Sequence, residues 1–192
     1  MYKRQAAEQR DYGAELLALT NAHIAELVQE QPYLQMMSGM KVKALPDNSI
    51  AGAQRQARSA QARLDQLAAI DSSQLSHDDQ LTYSMFQGVL QQTVEAEQHF
   101  WHKFNVTPYA VGFTFSTLMP GVLASATFSS DEDIADDLGF LEDVGRYLED
   151  DLARLKGQEQ RGILLPQAAL PGALTTIGNL GPAIASLTVM TP

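Results

Sequence analysis

Residues 76–105 carry the sequence SHDDQLTYSMFQGVLQQTVEAEQHFWHKFN, the longest uninterrupted periodic stretch of the chain. Its apolar side chains recur at three- and four-residue steps, which predicts one apolar stripe along an α-helix of roughly 40 Å. The stripe consists of Leu81, Met85, Phe86, Val89, Leu90, Val94 and Trp101. Ser76 is placed to cap the first turn. Because so long a helix needs other helices to cover its stripe, we expect an all-α fold: an irregular bundle of five to seven helices around one long central helix, with a long ordered loop.

Helical patterns flank this stretch on both sides. A first helix is predicted over residues 6–30, with His23 in a partly buried core position, and it ends before Pro32. Residues 32–50 show no sustained period and are expected to form an ordered loop. Ser49 is placed to cap a second, alanine-rich helix that runs to about Ala69.

A further helix is predicted from the acidic cap S-D-E-D, which begins at Ser130. Gly145 is expected to bend or divide it, because glycine is a poor residue for a helix interior. Its predicted core stripe is Ile134, Leu138, Leu141, Val144, Leu148, Leu152 and Leu155. Ten acidic residues lie between Asp131 and Asp151. They suit a solvated outer face better than a calcium site, because no D-x-[DN]-x-[DN]-G loop is present.

Two stretches carry no charge. Residues 105–128 are rich in aromatic and β-branched side chains, and we expect them to pack against the helices or to line a cleft, with a short strand near residues 113–115 as one option. Residues 162–192 are apolar, begin with a C-cap glycine at Gly162, and include a helix near residues 167–180. This tail needs cover from its own domain, from a second copy in a homo-oligomer, or from a continuation of the polypeptide, which we favour.

The bulk composition limits the partners of the chain. The net charge is −10 and the isoelectric point is about 4.7, which argues against nucleic acid and against an anionic membrane surface. Without cysteine there is no disulfide or thiolate metal site, and the compartment stays open. The first residues lack the apolar core of a signal peptide, and no stretch is long enough to span a membrane.

No catalytic motif is present in the sequence. An H-E-x-x-H helix, a G-x-S-x-G elbow, a P-loop and a Rossmann fingerprint are all missing. Glu95, His99 and His102 could share a helix face as metal ligands, but histidine also suits the C-terminal end of a helix dipole, and we predict no metal site. Aromatic residues cluster where the predicted central helix meets the uncharged loop, and such a cluster is more often part of a core than the wall of a ligand site. If this region lines a cleft, the candidate substrate-binding residues are Trp101, Asn105, Tyr109 and Phe113.

Three stretches, taken in order, resemble the N-terminal half of the bacterial domain-of-unknown-function family 885. They are LPDNSI (residues 45–50), RLDQLAAIDSSQLSHDDQLTYSMFQGVL (63–90) and FSSDEDIADDLGFLEDVGRYLEDDLARLKGQEQRGILLP (128–166). The last resembles the family's acidic cap, two consecutive helices and Gly-x-x-x-Pro exit. The resemblance covers residues 33–166.

This family is grouped with the gluzincin-type zinc metallopeptidases, and its members are much longer than this chain. Their H-E-x-x-H zinc motif lies in the half that is not present here, so no catalytic or metal residue carries over. The resemblance implies that residues 1–192 form one helical domain, the N-terminal fragment of a hydrolase that acts on peptides. This fragment would form a wall or lid of the substrate channel, and it would be inactive alone. The absent half would hold the zinc, and it would also be the partner against which this fragment packs. The alternative is a non-catalytic helical binding or scaffold domain.

Overall fold

The structure is a computed structural model, which describes residues 10–109, 118–124 and 130–185. The described part is all α-helical, which confirms the predicted fold class and the predicted number of helices. Its seven α-helices are α1 (Tyr12–Glu30), α2 (Pro32–Met37), α3 (Ile50–Ala68), α4 (His77–Ala96), α5 (Met119–Ala124), α6 (Asp131–Gln160) and α7 (Leu170–Ala185). Short 3-10 turns occur at Ser72–Gln74, Phe100–His102 and Gln167–Ala169. Over these residues, no helix combines the length and apolarity that crossing a bilayer requires.

The chain divides into two compact units. The first unit contains Met1–Glu26 and Arg55–Ala96, and the second contains Leu27–Gln54 and Glu97–Pro192. Each unit has its own apolar core.

The core of the first unit is built where α1, α3 and α4 pack together. Leu90 is completely buried at its centre. The half-buried ring of His23 lies 5.2 Å from the ring of Phe86, so His23 is the partly buried core residue that the sequence predicts. The remaining buried members of this core are Leu16, Ala60, Leu67, Ile70 and Leu75.

Helix α4 is shorter than the sequence predicts. Ser76 caps it as expected, because its Oγ accepts a hydrogen bond from the Asp79 N–H at 3.2 Å. The helix ends at Ala96 rather than near residue 105, and Trp101 lies in the following 3-10 turn. The predicted stripe is in fact two rows, because neighbouring residues lie about 100° apart around a helix. Phe86 and Leu90 are buried, whereas the other row is exposed and consists of Leu81, Met85 and Val89.

The core of the second unit draws on both stretches that were predicted to be loops. Val42 and Leu45 enter it from the first stretch, which also contains the helix α2 where only loop was predicted. Leu118, Met119 and Val122 enter it from the uncharged stretch, where α5 forms. Phe140 and Val144 of α6 complete it. The strand considered near residues 113–115 lies outside the described residues.

Helix α6 departs from the prediction in its continuity and in the face that it buries. Ser130 caps it, with its Oγ accepting from the Asp133 N–H at 3.1 Å, and Gly162 follows it at φ +67°. The 30 residues Asp131–Gln160 form one helix, so Gly145 does not divide it and the two consecutive helices implied by the resemblance are one. Of the predicted core stripe, only Val144 is buried and Leu141 half-buried. The exposed members are Ile134, Leu138, Leu148, Leu152 and Leu155.

Substituting Leu90 by Asp should unfold the first unit, because an unpaired buried carboxylate costs several kcal/mol, comparable to the stability of a whole domain. Thermal unfolding followed by circular dichroism measures this effect. The matched control is Met85→Asp on the same helix, since Met85 is 74% exposed. We expect the control to melt within a few degrees of the wild type, and equal melting of both variants would contradict the assigned core.

Candidate functional site

The buried face of α6 carries polar side chains that the sequence analysis did not single out. Asp151 is 7% exposed, Arg154 6% and Gln158 2%. Their spacing of three and four residues places them on one side of the helix, in line with the core residues Phe140 and Val144. Charged side chains are rarely buried without partners. The surroundings of this row, which we call the α6 polar row, therefore define the strongest candidate site in the described part of the chain.

Two asparagines bridge Asp151 and Arg154. One lies in the loop before α3 and the other in the loop after α4. Asn105 donates from Nδ2 to Asp151 Oδ1 at 2.9 Å, and its Oδ1 accepts from Arg154 Nη1 at 2.9 Å. Asn48 donates from Nδ2 to the same Asp151 oxygen at 3.3 Å, and its backbone oxygen accepts from Arg154 Nη2 at 2.6 Å. An amide can do this because it carries both a donor and an acceptor. The two loops are thus joined through one buried pair of charges.

Aromatic rings and backbone carbonyls complete the cluster. The Arg154 guanidinium lies over the Phe100 ring, 4.0 Å from its centroid. Arg154 Nε, which has no hydrogen-bond partner, is buried there. Gln158 Nε2 donates to the backbone oxygens of Trp101 at 2.8 Å and Lys103 at 3.3 Å. The α6 polar row therefore holds the loop that follows α4 at several successive positions.

Trp101 packs edge-on against α6 at Gly157. A Cβ added at Gly157 would overlap the indole ring, so this close approach requires glycine. The Arg161 guanidinium covers the indole, 3.9 Å from its centroid, and also donates to the Gly157 backbone oxygen at 2.8 Å. The Phe100 and Trp101 rings meet nearly perpendicular at 4.9 Å. Trp101 is thus a packing residue between the loop and the helix.

A second set of charges anchors the loop before α3. Arg146 bonds Asp143 at 2.6 Å and Asp150 at 2.9 Å, and it also donates to the backbone oxygen of Leu45 at 3.2 Å. Asp143 in turn accepts from the Leu45 N–H. Asp143 raises the pKa of the Arg146 guanidinium by hydrogen bonding, against the opposing effect of its burial.

The acidic start of α6 is paired with two lysines of the same loop. Lys41 Nζ lies 3.5 Å from Asp133, 3.4 Å from Asp136 and 3.5 Å from Asp137, and Lys43 Nζ lies 2.9 Å from Asp136. The lysines lower the pKa of Asp136. Among the residues that the structure describes, no group of three or more histidine, aspartate or glutamate side chains is arranged to hold a metal ion.

Burial shifts the pKa values of the two charges at the centre. Desolvation raises the pKa of Asp151, although the hydrogen bond from Asn105 and the charge of Arg154 oppose it. Desolvation likewise lowers the pKa of Arg154 against the attraction of Asp151. Asp151 and Arg154 bind loops of their own chain. Their role in this arrangement is therefore to hold those two loops in place.

The four predicted cleft residues fall in different environments. Asn105 is in the buried network, and Trp101 is half-buried against α6. Tyr109 is 86% exposed at the end of the described loop, and Phe113 lies outside the described residues. His99 and His102 are exposed, beyond the end of α4, so they do not share a continuous helix with Glu95. Asp151, Arg154 and Gln158 were missed, although their three- and four-residue spacing was the signal that could have found them.

Residues 32–187 match the model of a family described as bacterial protein of unknown function (DUF885). The chain belongs to this family. The match confirms the resemblance and extends it beyond residue 166. No curated protein and no solved structure matches the chain.

In this DUF885 protein, the matched region contains both loops and the whole α6 polar row. In the LPDNSI segment, three of the residues that carry the resemblance have structural roles. Leu45 is buried in the core, Asn48 bridges the charge pair, and Ser49 Oγ accepts from the Gly52 N–H at 3.0 Å to cap α3. The predicted Ser49 cap is therefore confirmed.

Replacing Asn105 by Ala should lower the free energy of unfolding by about 2–4 kcal/mol, because two hydrogen bonds to buried charges are lost at once. Urea denaturation measures the change. Asn21→Ala, at an exposed position of α1, is the matched control and should stay within about 0.5 kcal/mol of the wild type. An Asn105→Ala protein as stable as the control would show that the bridge is not needed.

Asp151→Asn should change how stability depends on pH. The folded-state pKa of Asp151 lies above its unfolded-state value, so the folded chain binds this proton more tightly. Its contribution is fully present below the unfolded pKa, about pH 4, and is lost as the pH rises through the raised folded pKa.

The wild type should therefore lose stability relative to Asp151→Asn as the pH rises from about 4 towards neutrality. Urea denaturation of both proteins at a series of pH values measures the difference. A difference that is constant with pH, or that slopes the other way, would contradict the raised pKa.

Proposed function

We propose that this chain is a helical, non-catalytic part of a zinc-metallopeptidase-like hydrolase that acts on peptides, where it forms one wall or lid of the substrate channel. The catalytic zinc site would lie in a further part of the polypeptide. A zinc site of this kind needs three protein ligands and an open position, and this chain would contribute none of them.

The observation that carries the proposal is the family match over residues 32–187. The step from this family to a peptidase is the expectation given in the sequence analysis, where the family is grouped with gluzincin-type peptidases. Uncovered apolar rows support the proposal. In the first unit the row of α4 is exposed, and in the second unit α7 exposes Leu170, Leu174 and Ile177. Apolar surface of this kind is typical of faces that pack against another body.

The loop after α4 is the part we assign to the channel wall. Its base is held by the α6 polar row, and its described end carries the exposed ring of Tyr109. A binding surface works best when rigid elements hold it in place. Within this proposal, Tyr109, at the end of the described part of this loop, contacts the substrate.

The test is to read the gene beyond the codon for Pro192 and to express the resulting longer protein. We expect an H-E-x-x-H segment there, and zinc-dependent cleavage of quenched-fluorescent peptides by the longer protein. In that protein, Tyr109→Ala should raise KM about fivefold at an unchanged melting temperature, which corresponds to about 1 kcal/mol of lost contact.

Two results would overturn the proposal. One is a stop codon or a continuation without H-E-x-x-H, which would favour the non-catalytic binding or scaffold domain. The other is zinc-dependent peptide hydrolysis by the 192-residue chain alone. The control for Tyr109→Ala is Tyr33→Ala, which removes another exposed tyrosine ring of the second unit and should leave KM unchanged.

A further inference from the structure

We propose that the outward face of α6 is a docking surface for an amphipathic helix whose apolar stripe is flanked by lysine or arginine side chains. The outward face is defined by Ile134, Leu138, Leu148, Leu152 and Leu155. This inference rests on α6 alone, so it stands or falls independently of the proposed hydrolase.

The five side chains form one row along the helix. Steps of three, four and seven residues keep them, with the half-buried Leu141, on one strip of α6 that lies roughly 100° around the helix from the α6 polar row. All five are exposed. A continuous apolar row on a helix of about 45 Å is much more than the scattered exposed leucines of an ordinary surface. Such a row matches the spacing of anchors by which one helix recognises another.

Gly145 lies near the middle of this row, where its missing side chain leaves room for another helix to approach the backbone of α6. It is exposed, and a Cβ added there would meet nothing within 4 Å. Packing inside the chain therefore does not require glycine, although glycine in a helix interior costs about 1 kcal/mol relative to alanine. A missing side chain at this position lets the backbone of another helix come close.

The charges beside the row select the partner. Asp131, Glu142 and Glu149 are exposed and follow one edge of the outward face. A partner that brings lysine or arginine to this edge gains complementary pairs and faster association. Lys156 lies exposed near the C-terminal end of the face, so the basic residues of the partner belong against its N-terminal part.

The same charges disfavour a second copy of the chain as the occupant. Two copies that pair through this face would bring two acidic edges together, on chains that each carry a net charge of −10. Like charges placed opposite each other weaken association. A basic amphipathic helix removes this repulsion and still covers the leucines.

The test uses the 192-residue chain and two fluorescein-labelled peptides of about 20 residues. Both peptides carry the same leucine stripe, flanked by lysine in one and by glutamate in the other. Fluorescence anisotropy should show the lysine peptide binding at least about tenfold more tightly, with an affinity that falls as salt is added.

Variants then locate the binding. Leu148→Gln with Leu152→Gln should weaken binding of the lysine peptide about tenfold or more, whereas Leu17→Gln, at an exposed leucine of α1, should not. Glu142→Lys with Glu149→Lys should shift the preference towards the glutamate peptide. The charge-matched control is Glu30→Lys with Glu95→Lys, two exposed acids of other helices, which should preserve the preference. Unchanged melting temperatures confirm that every variant is folded.

Three outcomes would overturn the proposal. The lysine peptide binds equally to the Leu148→Gln, Leu152→Gln protein, so that attraction to an acidic surface is the whole effect. The two peptides bind alike, so that charge does not select the partner. The unmodified chain is a dimer by light scattering and becomes a monomer with the two glutamines, so that the occupant is a second copy.

Discussion

The second unit depends on the burial of a carboxylate and a guanidinium on one face of a helix. Asp151 and Arg154 leave water when α6 packs, and each then requires partners at close range. Asn48 and Asn105 supply them, and each asparagine serves both charges. Removing any one member leaves an uncompensated polar group in the interior, which is more costly than never having had the pair. The two loops consequently have little freedom to move independently of α6.

The side chains that α6 buries differ from those that the sequence predicts, because its leucine stripe was expected in the core. Its leucines point outward, and its buried side carries Asp151, Arg154 and Gln158 beside Phe140. An apolar row is normally the part of a helix that a domain covers first. Here the two loops pack on the side that carries the charges, because their amides and carbonyls hydrogen-bond those charges. The helix therefore carries an exposed apolar row beside its buried side.

The sequence predicts the features of this fold that are determined locally. Ser49, Ser76, Ser130 and Gly162 all act as helix caps, because capping depends on residues only a few positions apart. The all-α class follows from helical spacing in the same way. What the sequence could not reveal is which of two rows a helix buries. Leu81 and Leu90 both belong to periodic rows of α4, and only packing distinguishes the exposed one from the buried one. Asn105 and Trp101, two of the predicted cleft residues, lie in the α6 network, and their role in substrate binding stays a prediction. The polar residues of α6 were missed because an apolar pattern passes over them.

The exposed row of α4 also makes the chain sensitive to oxidants at defined positions. Met85 in that row is largely exposed. Met37, at the end of α2, is also largely exposed, whereas Met119 is buried in the core of the second unit. Peroxide would reach the exposed thioethers first and convert them to sulfoxides, which are polar. The row of α4 would then lose its apolar character at its middle residue while the cores stay reduced. Oxidative damage would thus change what the surface of this protein can adhere to before it affects whether the protein is folded.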